Sequence, residues 1–402
     1  MNEYPILKLK KGKEVSLRYR HPWVFSGALD DSGETSIKDI SHGSLVRVSD
    51  SEGNILGTGT FSDKSMIAVR IFDFKNAVID HDWILNKFNE ALSYRQFMGY
   101  GSAETTGFRL CFSESDSLPG LIVDKYEDVL VLQISTTGME LLKPIVIDVL
   151  RELFSPTAIL EKSELPVRNE EGLKPFSGVL WGKFDEQVEF KENGLKFISD
   201  PLKGQKTGFF LDQKDLRSAI GKLSADRAVL NLFSYTGSMA VYALANGAKS
   251  VLNVDGSDWA LEECFKNAKL NKIKKSSIKI EKADIFSWLT RPIHSPEYDM
   301  VIADPPAIIK ARNDIENGKK AYHFLNRAAM RLVKDKGIFV TSSCSHYLSA
   351  DDFRMILHRA AVQNNLTLRI IGEYSQSADH PVALNFPESG YLKSYVGLVE
   401  RR

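Results

Sequence analysis

From residue 228 onward, short apolar runs alternate with stretches of helical spacing: 228–233, 238–246, 250–254, 258–271, 277–281, 299–303, 320–333, 336–343, 352–363 and 366–371. Strands that alternate with helices pair in parallel, because a parallel partner is reached only through a long crossover. The rhythm begins near Val188 and predicts a mostly parallel sheet flanked by helices. Ligands of such sheets bind in the crevice outside the C-terminal strand ends. The residues at those ends therefore carry the functional information.

The first end reads A-V-L-N-L-F-S-Y-T-G, Ala228–Gly237. The apolar run Val229 to Phe233 leads into a turn with one glycine, a helical pattern from Met239 to Ala245, and a second run, Ser250–Val254, ending on Asp255. A dinucleotide site needs G-x-G-x-x-G so that a pyrophosphate can lie against bare backbone. Only Gly237 is present, so the expected ligand approaches the turn without a pyrophosphate. S-adenosylmethionine fits, with a ribose, an adenine and a sulfonium in place of phosphates. Asp255 is placed for the ribose hydroxyls. The alternative is a generic unit in which Gly237 eases a turn and Asp255 caps a helix.

Three further strand ends carry chemistry. Asp299–Pro306 reads D-M-V-I-A-D-P-P, delivering Asp304 to a strand end followed by two prolines that hold the exit in shape. Asp304 is expected to edge the same crevice as Asp255; the alternative is a plain strand-to-loop stop. Asp284 follows the strand-like Ile278–Glu281 and suits either an adenine amino group or the cap of a helix at Ile285–Leu289. Ile338–His346 reads I-F-V-T-S-S-C-S-H and puts Cys344 at a strand end facing the crevice, placed like a nucleophile, with packing as the alternative.

A thiol, a carboxylate and S-adenosylmethionine together suggest methylation of carbon 5 of a pyrimidine. A thiolate adding to carbon 6 makes carbon 5 nucleophilic toward the sulfonium methyl. Cytosine needs its ring nitrogen 3 protonated as this happens, and a carboxylic acid such as Asp304 with a raised pKa can supply the proton. Uracil already carries that proton.

The rest of the chain reads as two further regions. Residues 1–75 show short strands such as Leu45–Val48 and Met66–Phe72, separated by turn signals at Asp31-Ser32-Gly33, Ser51-Glu52-Gly53-Asn54 and Gly57-Thr58-Gly59, which predicts a small β-barrel or sandwich. Residues 76–190 mix elements. A helix is expected over Asp80–Met98, strands over Gly107–Phe112 and Gly120–Ile134 (broken at Lys125–Asp128), a helix over Glu140–Leu153 and a strand over Ala158–Glu161. Phe108, Leu110 and Phe112 would share one face, with Cys111 on the other; Cys264, spaced with Leu261, Phe265 and Ala268, reads as core.

Three cysteines in 402 residues, far apart and odd in number, argue against a disulfide framework or a zinc cluster, so no metal is expected. The start, Met1-Asn2-Glu3-Tyr4-Pro5, has no apolar h-region, and no run reaches the length of a membrane span, which points to a reducing cytoplasm. The net charge of zero counts mildly against nucleic-acid binding. Lysines and arginines nevertheless crowd Lys8–Arg20 and Lys269–Lys279, as solvated faces or as contacts to a polyanion.

Six motifs in order make the chain resemble the PUA-containing class I methyltransferases that form 5-methylcytosine in 23S ribosomal RNA of the large subunit. They are His21-Pro22-Trp23-Val24-Phe25-Ser26-Gly27, Lys206-Thr207-Gly208-Phe209-Phe210-Leu211-Asp212-Gln213-Lys214, Asn231 to Gly237, Asp304-Pro305-Pro306-Ala307, Ser342-Ser343-Cys344-Ser345-His346 and Asp379-His380-Pro381. The resemblance spans essentially the whole chain. It implies a multidomain protein: an N-terminal β-rich PUA pseudobarrel over 1–75 that contacts RNA, a central α/β linking domain over 76–190, and a C-terminal α/β Rossmann-like methyltransferase over 191–402. It further implies Cys344 as nucleophile and Asp304 in the loop that holds the base. Asn231, Phe233, Tyr235 and Gly237 would line the methionine side of S-adenosylmethionine, Asp255 would take the ribose, Asp284 the adenine, and Gln213 would close over the cofactor. Ribosomal RNA is the implied partner, and a homodimer the implied assembly. Many enzymes of the wider class carry a second cysteine in the Asp-Pro-Pro loop for product release; here Ala307 follows the prolines. His346 and His380 are candidates for that step, each with a structural role as alternative, and the loop Lys310–Lys320 either covers RNA or is a solvated loop. Two rival readings stay open: methylation of a base nitrogen with Cys344 idle, and a non-catalytic RNA-binding assembly factor.

Overall fold

The computed structural model describes residues 4–31, 36–292 and 296–402. Ser32 and Gly33 of the first turn signal, and Met1 to Glu3, lie outside the described residues. The chain forms two compact units. The first comprises 1–191, 199–211 and 378–389; the second comprises 192–198, 212–377 and 390–402.

The first unit holds two sheets. A six-stranded sheet, ordered Trp23–Phe25, Ile67–Asp73, Ile55–Phe61, Leu45–Ser49, Ile6–Leu9, Leu29–Asp30, is antiparallel except where Ile6–Leu9 runs parallel to Leu45–Ser49. Its core is Leu7, Leu9, Val46, Val48, Phe61, Val69 and Ile71, the inward members of alternating runs. A five-stranded sheet follows, ordered Phe176–Gly182, Ala158–Ser163, Val129–Ile134, Leu121–Tyr126, Gly107–Phe112. Helix His81–Phe97 begins where Asp80 accepts from the Trp83 backbone N–H at 3.0 Å, and helix Thr137–Phe154 where the Thr136 side chain accepts from that of Met139. Cys111 does not face away from Phe108 and Leu110: a bulge between Arg109 and Cys111 breaks the two-residue alternation, and all three share one core.

Segments from opposite ends of the sequence meet in this unit. The Trp23 ring lies 4.9 Å from that of Phe386, and His21 Nε2 is 3.2 Å from Glu388 Oε1. Arg95 grips Asp116 through two hydrogen bonds of 2.5 and 2.7 Å and donates to the Asp379 carbonyl at 2.8 Å. The Asp379 carboxylate accepts from the Arg109 backbone N–H at 2.9 Å and is 2.9 Å from His380 Nδ1.

The second unit is a seven-stranded sheet. Strands β1 (Ala228–Leu232), β2 (Ser250–Asp255), β3 (Ile278–Lys282), β4 (Tyr298–Ala303) and β5 (Val333–Ser343) are parallel, and β6 (Leu366–Tyr374) and β7 (Lys393–Arg401) are antiparallel to their neighbours, in the order 3-2-1-4-5-7-6. Helices α1 (Lys214–Lys222), α2 (Ser238–Ala245), α3 (Asp258–Leu270), α4 (Ile285–Trp288), α5 (Ile315–Arg331) and α6 (Ala350–Gln363) flank it. Alternation divides the strand residues. Val229, Val251, Met300, Ile302, Ile338 and Val340 pack with Leu216, Ile220, Met239 and Ala240 of α1 and α2. Leu230, Leu232, Val301, Ala303 and Phe339 pack with Leu325, Phe353 and Leu357 of α5 and α6. Among the described residues no helix is long and apolar enough to cross a membrane.

Candidate active site

The strand order reverses direction between β1 and β4, so the ends of these two strands flank the switch point where ligands of open α/β sheets bind. Register levels the candidate residues. Leu232 pairs with Val254 and with Ala303, and Ala303 with Thr341, so Phe233, Asp255, Asp304 and Ser342 come next on four adjacent strands. Asp284 and Cys344 lie two residues further along at either side. Asp304 and Cys344 both continue the alternation of the sheet face that carries Ile302 and Val340, the face covered by α1 and α2.

The turn after β1 holds three left-handed residues within five: Phe233 (φ 57°), Tyr235 (φ 46°) and Gly237 (φ 76°). Two of them are aromatic residues, for which this conformation is strained, and strain of this kind concentrates at functional sites. Asp255 is one restraint: its Oδ2 accepts from the Tyr235 backbone N–H at 2.9 Å and its Oδ1 from that of Ser257 at 2.9 Å. Asp255 does not cap α3; Ser257 does. The Cys264 thiol donates to the Tyr235 carbonyl at 3.1 Å and Asn267 to that of Thr236 at 2.9 Å. Gly237 is required by packing as well as by its φ, since a Cβ there would sit 2.8 Å from Cys264 Sγ. Gly237→Ala is expected to destabilise the protein by about 1–3 kcal/mol. Urea unfolding checks this, and adding Cys264→Ala should recover part of the loss.

Asp304 Oδ2 accepts from Gln213 Nε2 at 2.9 Å. Burial pushes its carboxyl up to about 6, with the Asp212 charge adding to the rise and the Gln213 and Ser342 hydrogen bonds opposing it. Asn231 is 1% exposed and donates to Asn253 Oδ1 at 2.9 Å, so its amide ties β1 to β2 below the strand ends. Asp284 is exposed and caps α4, accepting from the Ser287 backbone N–H at 2.8 Å, a bond that holds its pKa below the usual carboxylate value. The Phe286 ring beside it lies 6.3 Å from Phe233 and stacks on Phe324 at 6.2 Å.

Cys344 is half-buried in a turn clamped on both sides. Ser343 donates to the Tyr322 hydroxyl at 2.9 Å, and the same hydroxyl is 2.9 Å from Ser345 Oγ, which accepts from the Ile309 backbone N–H at 3.1 Å. Tyr322 of α5 thus holds the cysteine turn from both sides, and Ser345 ties that turn to the segment after the two prolines. Sequence reasoning gave Tyr322 no role, since a tyrosine at helical spacing reads as core, and named Ser343 and Ser345 only as part of the cysteine motif. His346 is exposed, edge-on to Tyr347. His380 belongs to the first unit, 2% exposed and held by Asp379. Residues 310–320 are mostly not a loop: a 3-10 turn at Arg312–Asp314 leads into α5.

The polar inventory of the crevice suits a ligand rich in donors. Gln213 Oε1 and Asp212 Oδ1 are buried acceptors without a hydrogen-bond partner, a state that costs about 1–3 kcal/mol each until a donor arrives. The carboxylates of Asp255 and Asp304 add acceptors. S-adenosylmethionine offers an ammonium, two ribose hydroxyls and an adenine amino group, and its sulfonium charge is favoured beside carboxylates.

The fold and site define an S-adenosylmethionine-dependent methyltransferase. A family model described as S-adenosylmethionine-dependent methyltransferase matches residues 170–359, and one described as PUA-like domain matches residues 7–74. The Ribosomal RNA large subunit methyltransferase I of Aliivibrio fischeri (strain MJ11) is 38% identical over 391 residues, covering 96% of this chain and 97% of the relative. Its namesake from Alteromonas mediterranea is 37% identical over 392 residues, with 96% and 97% covered. This chain belongs to their family, methyltransferases with an N-terminal PUA-like β-rich domain and a C-terminal α/β domain that uses S-adenosylmethionine. The crystal structure of SMU.776 complexed with SAH shares the fold, with a TM-score of 0.82 at 21% identity over 98% of this chain and 100% of that one.

Proposed function

We propose that this protein forms 5-methylcytosine in 23S ribosomal RNA, with Cys344 as nucleophile and Asp304 as acid. The relatives carry ribosomal RNA in their names, and a PUA-like domain precedes the catalytic one. The observation that carries the reaction is the pairing of Cys344 with a carboxyl raised to about 6 at the ends of adjacent strands, on one sheet face.

When bound, S-adenosylmethionine supplies a methyl group made electrophilic by the sulfonium. The Cys344 thiolate forms a bond to carbon 6 of the cytosine while Asp304 gives its proton to nitrogen 3. Carbon 5, now enamine-like, takes the methyl. Loss of the carbon 5 proton expels the Cys344 thiolate, and nitrogen 3 returns its proton to Asp304. The carbon 5 proton passes to solvent. In this reading Asn231, Phe233, Tyr235 and Gly237 line the methionine side, Gln213 closes over the cofactor, Asp255 takes the ribose and Asp284 the adenine. We retain three domains, 1–75, 76–190 and 191–402, and a cytoplasmic location. A homodimer is also proposed, to be checked by sedimentation equilibrium.

The test is incubation of the protein with deuterium-methyl-labelled S-adenosylmethionine and unmodified large-subunit ribosomal RNA, followed by mass spectrometry of the nucleosides. Labelled 5-methylcytidine is expected. Labelled 5-methyluridine would overturn the role of Asp304 as a cytosine-selecting acid. A label on nitrogen would remove the covalent mechanism. No label, together with no binding of S-adenosylmethionine in calorimetry, would favour the assembly factor.

A further inference from the structure

We infer that Lys393 is the counter-cation of the Cys344 thiolate, a positioning residue that holds the nucleophile ionised before attack and receives it again on release. The inference rests on the proposed role of Cys344 and adds a residue that the six motifs do not contain.

Lys393 opens β7 directly opposite Ser343 in the antiparallel pairing with β5. Its Nζ donates to the Ser345 carbonyl at 2.8 Å. The side chain therefore starts across from the residue before Cys344 and ends on the residue after it. The register of one strand pair sets this placement, so it does not depend on a flexible loop.

Lys393 is half-buried, and among the described residues no carboxylate lies within ion-pair distance of it. An ammonium carries three donors, and one carbonyl takes one of them. A partly desolvated cation without a counter-ion is unfavourable, and burial accordingly depresses its pKa, with the Cys344 charge as the opposing influence. Tyr322, from α5, also responds to the Cys344 charge. Burial keeps that phenol protonated, and its hydroxyl engages Ser343 and Ser345. Asp304 edges the same crevice with its own partner, Gln213. The anion that fits beside Lys393 is the thiolate itself. A unit charge a few ångströms away at a part-buried site shifts an ionisation by about one pH unit or more.

The test uses the full chain and does not require turnover. Alkylation of Cys344 by iodoacetamide is followed against pH by peptide mass spectrometry, in wild type, Lys393→Met and Lys393→Arg. Cys111 and Cys264, whose buried thiols are pushed up, serve as slow internal references. Lys393→Met should slow Cys344 alkylation at pH 7 at least tenfold and raise its midpoint by about one pH unit, whereas Lys393→Arg should stay within about threefold of wild type. An unchanged rate and midpoint in Lys393→Met would overturn the inference. Binding of S-adenosylmethionine by calorimetry certifies the fold of each variant; if Lys393→Met fails it, Lys393→Gln decides by the same readout. In turnover, a fall in kcat at constant KM for RNA is expected. A raised KM with unaltered alkylation would instead assign Lys393 to an RNA phosphate and overturn the inference. Retained turnover in Cys344→Ala would sink the nucleophile reading while leaving the alkylation result to stand by itself.

Discussion

Cys344→Ala is expected to lower methyl transfer by more than about a thousandfold while leaving the affinity for S-adenosylmethionine unchanged. The size follows from the chemistry. Without a bond to carbon 6, carbon 5 of cytosine is too weak a nucleophile for the sulfonium methyl, and no other group in the crevice can make that bond. The variant should fold. Cys344 is half-buried, and the turn around it is held by the hydroxyls of Tyr322, Ser343 and Ser345, which the substitution leaves in place. Because the side chain is small and only half-buried, the stability should lie within about 1–2 kcal/mol of wild type. RNA carrying 5-fluorocytidine gives a second readout, because fluorine at carbon 5 cannot leave as a proton does and the adduct persists. Wild type should give a denaturant-resistant protein–RNA band and Cys344→Ala none. A band in the variant, or activity within tenfold of wild type, would show that the cysteine is not the nucleophile.

Asp304→Asn should lower kcat/KM by about a hundredfold to ten-thousandfold and at the same time stabilise the fold at alkaline pH. The loss reflects an amide that can accept from Gln213 but gives no proton to nitrogen 3. The gain follows from linkage. The carboxyl is raised from an ordinary 3.8 to about 6 by burial. Its contribution is fully present below about pH 4, where folded and unfolded chains both hold the proton, and is lost as pH rises through 6. Above pH 6 the buried carboxylate penalises the fold by up to about 3 kcal/mol, an upper bound because its edge meets the crevice. The melting temperature of Asp304→Asn should therefore exceed that of wild type at pH 8 and match it near pH 4. In wild type, kcat/KM should follow a bell: the acid form of Asp304 declines above about pH 6 while the thiolate fraction grows. Asp304→Asn should lose the alkaline limb. Equal stability at pH 8 would mean that the carboxyl is not buried as described.

The strand-end residues were legible because they depend on nearest-neighbour rules. An apolar run followed by a polar turn marks a strand end whatever the rest of the chain does, and this placed Phe233, Asp255, Asp304 and Cys344 at strand ends, which the sheet then sets side by side. The same rules do not settle local detail wherever a contact from elsewhere intervenes. At Gly237 they give the turn but not the packing, since Cys264 of α3 lies where a Cβ would go. Asp284 had two equally good local readings, and the cap on α4 is the one with a partner. The expected alternation of Cys111 with Phe108 and Leu110 fails at a bulge that no local pattern announces.

The sequence by itself determined the order of the main strands and helices from 228 to 371 and which carboxylates and thiol stand at their ends, since periodicity and turn chemistry act within a few residues; the last strand, Lys393–Arg401, was not read. Only the tertiary structure decided what surrounds them. The pKa of Asp304 arises from burial and from Asp212 and Gln213, about ninety residues away. The cysteine turn is held by Tyr322 and overlooked by Lys393, which strand register alone brings beside it. The pairing of Trp23 with Phe386 within the first unit spans nearly the whole chain. Desolvation, register and long-range packing are sums over residues distant in sequence, and no window of a single chain contains them.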